Sequence, residues 1–351
     1  MRSYVQCTLC SVYCPFDSKL AYVYNSIVRQ KLSLLFGLCS DDPSLIELPG
    51  PKRSLMKKLF VDQTFRLYKS NTSLPELSQE EISYLKTLVG KYLFHSVSND
   101  IINSYSTYKD YVPGIKVAYN KGELKDVRFT SVTASYPSLL PKQTLIFVSD
   151  YDGFNYSLDM QYRILVLVRF TNTSLAEIIM QGIQNLNFET PMVLKPLNLP
   201  SNCVPRVIDR LSIELLNFDL FSEAIGDLEL TYQLTGLVTS NTLKDIIINV
   251  SRSDLNALDK SRGVIEGISA FLKKNTLMEF RNIPLVRFVS SLFSFSQDGK
   301  VKISNISIHL INSILESTNH HSLLSDQNDA NPGLDLISSV VKAILDESFS
   351  A

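Results

Sequence analysis

Three cysteines near the start, Cys7, Cys10 and Cys14, are followed by Pro15 and have the spacing C-x2-C-x3-C-P. Thiolates so spaced ligate iron–sulfur clusters or zinc. The run lacks the earlier cysteine of a complete cluster motif, and no second cysteine and histidine pair nearby completes a zinc tetrahedron. Reduced, buried thiols of a cytosolic protein fit the same residues, as does acylation that anchors the N-terminus to a membrane. The odd total of 5 cysteines argues against a disulfide framework. Asp150 and Asp152, in SDYDGF, are the best carboxylate pair, since D-x-D after a strand could hold a divalent ion or serve as acid and base. Asp-Gly at that point also makes an ordinary hairpin turn. Of the 4 histidines, His95 falls on a helical stretch, where a packed or surface role is expected, and His320 and His321 fall in a polar linker. No zinc-protease helix, nucleophile elbow, phosphate-binding loop or dinucleotide turn occurs. No catalytic residue, metal, cofactor or small-molecule substrate is therefore expected.

Binding chemistry has a better candidate. Lys52, Arg53, Lys57, Lys58, Arg66 and Lys69 are the densest positive patch of the chain. Phosphate contact by such cations supports sequence-independent nucleic-acid binding. A solvated helix face would look the same. The spacing of Leu55, Leu59, Phe60 and Leu67 predicts a helix over residues 54–68 with Lys57, Lys58, Arg66 and Lys69 giving its basic face.

The elements that must position these residues change character along the chain. Residues 20–38 suit a helix, and residues 41–53 hold three prolines and a glycine, hence a loop. Ser78 and Glu81 form a capping box, after which Ile82, Leu85, Leu88, Val89, Tyr92 and Leu93 predict an amphipathic helix to about Ile102. From Tyr105, β-branched and aromatic runs predict strands: IKVAY, VRFTSVTASY, TLIFVSDY and YRILVLVRF. The run at 161–170 is nearly continuous in apolar residues and should be buried on both faces, whereas 126–136 alternates and should face water on one side.

A short helix is expected at 174–185 and extended chain at 192–199. Two alternating strands around one glycine are expected within 206–236, with Ile208, Leu211, Ile213 and Leu215 in the first and Leu228, Leu230, Tyr232 and Leu234 in the second. Further on, 246–250 is a strand and 253–273 a helix. Asp298-Gly299 marks a hairpin between 285–295 and 300–310. Leu334, Ile337, Val341, Ile344 and Leu345 make a closing amphipathic helix that docks back on the sheet or binds a partner.

A chain of 351 residues with 45% hydrophobic and 20% charged residues has enough interior for a core. Its formal net charge of −1, from 34 basic and 35 acidic side chains, leaves any attraction to phosphate or anionic lipid to local patches. No apolar run is long enough to span a membrane, and the first residues lack the core of a secretory signal, so cytosolic synthesis is expected.

The order of elements from Met192 onward resembles the core of the thirty-kilodalton superfamily of plant viral cell-to-cell movement proteins. The family has an extended segment, a strand opening on arginine, a glycine and a second strand. Here MVLKPLNLP at 192–200, Arg210 with LSIELL, and Gly226 with DLELTYQL stand for these pieces. Two features depart from the pattern: Gln233 and Leu234 stand where an aspartate usually ends the second strand, and the chain is neutral where members tend to be basic. The resemblance implies a non-enzymatic, jelly-roll-like module that binds single-stranded RNA, self-associates and acts at host membrane or plasmodesmata.

The expectation is thus an α+β protein: a helical region at 1–104, an antiparallel β-sandwich at 105–312, and a polar linker with a C-terminal helix at 313–351. Its expected partners are single-stranded RNA, further copies of itself and, peripherally, a host membrane. A viral matrix or capsid-like assembly protein and a cellular scaffold protein are the alternatives.

Overall fold

The computed structural model describes residues 58–97, 107–125, 127–137, 139–150, 164–186, 191–216, 225–234, 244–258, 263–304 and 332–349. All of them belong to one compact unit that begins at Arg53. The fold is α+β, an 11-stranded antiparallel sheet with a sandwich-like layered core and helical flanks.

The strands are β1 Thr64–Ser70, β2 Lys116–Leu124, β3 Val127–Tyr136, β4 Leu140–Asp150, β5 Ile164–Arg169, β6 Leu194–Pro196, β7 Leu228–Gln233, β8 Asp245–Val250, β9 Leu285–Val289, β10 Phe293–Ser296 and β11 Lys300–Ile303. Their spatial order is β2-β3-β4-β5-β1-β11-β10-β9-β7-β8, with β6 beside β1. The helices are α1 Gln79–Val97, α2 Thr173–Gln184, α3 Cys203–Leu216, α4 Arg252–Ala257, α5 Val264–Thr276 and α6 Pro332–Phe349.

Local chemistry sets many of these limits. The Ser78 amide donates to Glu81 Oε2 at 2.7 Å and the Glu81 amide donates to Ser78 Oγ at 3.2 Å, so the capping box starts α1 as the sequence predicts. Asn172 accepts from the Ser174 amide at 2.8 Å and caps α2. Gly299, at φ 74, closes the hairpin of β10 and β11 at the expected Asp-Gly.

The two faces of the sheet bury different helices. Over β3, β4 and β5, Val132, Leu145, Phe147, Val166 and Val168 pack with α1 and α2. On the other side, Phe65, Leu67, Ile146, Val148, Phe288, Phe293 and Phe295 join residues of α3, α5 and α6 in a second core. β5 is therefore buried on both faces, as its apolar run predicts. β3 keeps the expected alternation only at its start, because Ser131 to Ala134 are all buried. α6 docks back through Ile337, Val340, Val341 and Ile344, one of the two outcomes expected for it. No helix of the described residues is long and apolar enough to cross a membrane.

Several expectations need correction. Helical backbone ends at Phe60, and Thr64–Ser70 is a strand rather than the continuation of a helix over 54–68. The first of the paired strands expected in 206–236 is α3. Its buried residues, Cys203, Val204, Val207, Ile208 and Leu211, recur at helical spacing, while Ile213 is 59% exposed. The helix expected over 253–273 is two helices, α4 and α5. The expected helix at 20–38, the loop at 41–53, and Cys7, Cys10, Cys14, Asp152, His309, His320 and His321 lie outside the described residues.

Candidate nucleic-acid interface

Pairing register places the cations of β1, β9 and β11 on one surface. Arg66 lies opposite Lys300, Lys300 opposite Ser296, Ser296 opposite Arg287, Arg287 opposite Thr231, and Thr231 opposite Ile247. Residues directly opposite across a ladder share a face, so these six form a row across six strands. A parallel row runs Thr64, Lys302, Ser294, Val289, Glu229 and Asn249. In the other direction Arg66 lies opposite Val168, which continues to Leu145 and Val132 beneath α1 and α2. This face is thus covered from β3 to β5 and mainly polar from β1 to β8, with Val289 and Ile247 its apolar members and Thr231 buried.

Alternation explains the difference. In β1, Thr64 and Arg66 are exposed while Phe65 and Leu67 are buried. In β11, Lys300 and Lys302 are exposed while Val301 and Ile303 are buried. The apolar partners go to the core of α3, α5 and α6, which leaves the cations facing water.

Four cations, Arg66, Arg287, Lys300 and Lys302, dominate the two rows. Two carboxylates temper them: Glu229 pairs with Arg287 at 3.5 Å, and Asp298, in the hairpin turn, pairs with Lys300. Partial burial would raise the Asp298 carboxyl, but hydrogen bonds from Lys300 and Ser296 and the charges of Lys300 and Arg66 outweigh it and hold the group below its ordinary 3.8. Arg66 and Lys300 stand directly opposite with like charge, an arrangement that is destabilising. An anion laid over the row relieves that cost. The rows carry no aromatic side chain, so contacts would go to phosphates rather than to stacked bases.

The sequence-predicted patch is distributed differently. Arg66 is in the row. Lys69 points to the opposite face of β1, across from Lys195 of β6. Lys58 is exposed in the last helical turn before β1. Lys52, Arg53 and Lys57 lie outside the described residues. Arg287, Lys300 and Lys302 were missed, although KVKI after an Asp-Gly turn is a basic and apolar alternation that marks a strand with a cationic face.

The residues weighed for catalysis have other work. Asp150, at the end of β4, pairs with Lys342 of α6, which also pairs with Asp346 at 3.1 Å. Arg210, expected to open a strand, is on α3 and pairs with Asp346 at 2.6 Å and Glu347 at 3.7 Å. These contacts fasten α6 to β4 and α3. His95 is exposed on α1 against the Phe94 ring. Cys203 is buried, and burial pushes its thiol up to about 11, which keeps it protonated and unreactive. Among the described residues no group of three His, Cys, Asp or Glu side chains is placed to hold a metal ion. A void of ≈ 10 Å³ lined by Phe60, Phe65, Leu165, Leu167, Val341 and Ile344 is apolar and about the size of one water.

In comparisons with known proteins, no family model and no curated protein matches this chain.

Proposed function

We propose that this chain is a non-enzymatic protein that binds single-stranded RNA through its phosphates, on the open half of the sheet between β1 and β8. The observation that carries this reading is the row set by register, in which Arg66, Lys300 and Arg287 share one exposed polar face with Lys302. A formal net charge of −1 makes that concentration of cations local rather than a reflection of composition. The movement-type role, with host membrane or plasmodesmata as its setting, rests on the resemblance from Met192 onward. Two of its three pieces keep their extended form, and the Arg210 piece is helical.

Binding is measured by fluorescence anisotropy of a labelled single-stranded RNA at a series of salt concentrations. Four phosphate contacts predict a logarithmic slope of affinity against salt of about −3. Absence of binding at low salt, or affinity indifferent to salt, overturns the reading.

A second reading, self-association as an assembly protein, is favoured by β8. It ends the strand order of the described residues and exposes Ile247 at 58%. Light scattering should then show concentration-dependent oligomers that Ile247→Lys dissolves; a strict monomer at high concentration excludes it.

A further inference from the structure

The opposite face of the sheet holds a second group of cations at the ends of β4 and β5. Arg169 is directly opposite Thr144, which is opposite Thr133. By strand alternation these residues share the face of Ile146 and Leu167, the reverse of the side that carries Arg66. Lys142 sits where β3 and β4 slip register, and its ammonium is pushed down first by burial and then by the nearby positive charges of Arg169 and Lys58. Lys58, Lys142 and Arg169 form no ion pair with a described carboxylate. Lys142 and Arg169 are half-buried and Lys58 is exposed, and like charges so gathered with no described carboxylate paired to them are unfavourable unless an anion joins them.

An independent feature points to the same place. Thr144 is fully buried, and its hydroxyl has no hydrogen-bond partner. Ser131, opposite Ile146 in the adjoining row, is likewise buried with an unpartnered hydroxyl. Buried hydroxyls are normally satisfied, so the unpartnered Thr144 hydroxyl, on the residue directly opposite Arg169, is open to an acceptor.

We propose that Lys58, Lys142, Arg169 and the Thr144 hydroxyl form a binding site for a phosphoryl group. Such a group carries up to two negative charges and three acceptor oxygens, and the Arg169 guanidinium suits it by presenting two parallel donors. A carboxylate would leave one cation and the hydroxyl unmatched. The site is separate from the open cationic face, and its occupancy does not require RNA to bind there. Its phosphate is either a free ion or the end of an RNA chain.

The test is thermal melting of the full chain in inorganic phosphate and in sodium chloride of equal ionic strength. Phosphate should raise the midpoint by about 3 °C. Arg169→Gln should abolish that rise, and Thr144→Val, which removes only an unpartnered hydroxyl, should more than halve it while melting normally in chloride. No rise in the parent, or an undiminished rise in both variants, overturns the proposal. Matched RNAs with a 5′-phosphate and a 5′-hydroxyl distinguish the sources. A roughly tenfold preference for the phosphorylated RNA that Arg169→Gln removes assigns the ligand to an RNA end. Equal affinity alongside the phosphate response assigns it to the free ion.

Discussion

Asp209 of α3 reaches the start of α5, where its Oδ1 accepts from the Ile265 amide at 3.2 Å. Gly263 makes room for it: at φ 103, a Cβ there would stand 2.9 Å from the same oxygen. Burial pushes the Asp209 carboxyl above its ordinary 3.8, and the bonds from Ile265 and Val264 offset this only in part. The folded state therefore holds the Asp209 proton to a higher pH than the unfolded chain does, and unfolding releases it. Its contribution to stability is full below 3.8 and declines as pH rises through the raised value. Asp209→Asn keeps an acceptor at the helix start and cannot ionise. Urea denaturation on both sides of that value should show the parent losing stability relative to Asp209→Asn as pH rises; parallel curves would remove the assigned cause.

At the scale of elements, α6 ties the molecule together. Ile344 is 1% exposed within the core shared with α3 and the sheet, and ion pairs from Lys342, Arg206 and Arg210 secure the same helix from outside. Ile344→Ala should cost about 2–4 kcal/mol in chemical denaturation. A loss well below 1 kcal/mol would mean that α6 is not part of the cooperative unit. This helix was legible because Ile337, Val341, Ile344 and Leu345 repeat at one helical spacing. α1 was legible from its capping box, and β7 from strict alternation. α3 was not, because Ile208, Leu211, Ile213 and Leu215 mix spacings of three and two. The residues that decide it, Cys203, Val204 and Val207, precede that stretch, the first two across Pro205, which a helix tolerates in its first turn. β1 was missed because Leu59, Phe60 and Leu67 fit a helical period, although Phe65 and Leu67 also alternate with Thr64 and Arg66. Tertiary pairing with β5 and β11 decides between them.

For the whole molecule, the cationic face is a product of topology. Arg287 and Lys300 come together through the consecutive hairpins of β9, β10 and β11, whereas Arg66, far from both in sequence, joins them only because β1 lies beside β11 in the strand order. Linear charge density pointed to residues 52–69; of the members of that group in the sheet, register places Arg66 on this face and Lys69 on the other, and it adds Arg287, Lys300 and Lys302. The measurement that bears most directly on this account is RNA affinity of the fourfold variant Arg66→Gln, Arg287→Gln, Lys300→Gln and Lys302→Gln, beside a second variant, Lys69→Gln, whose residue lies on the opposite face of β1. The fourfold variant should lose at least about a hundredfold in affinity and nearly all of its salt dependence, with melting unchanged, while the second stays near the parent. Undiminished affinity in the fourfold variant, or its loss in the second alone, would contradict binding on the open face of the sheet.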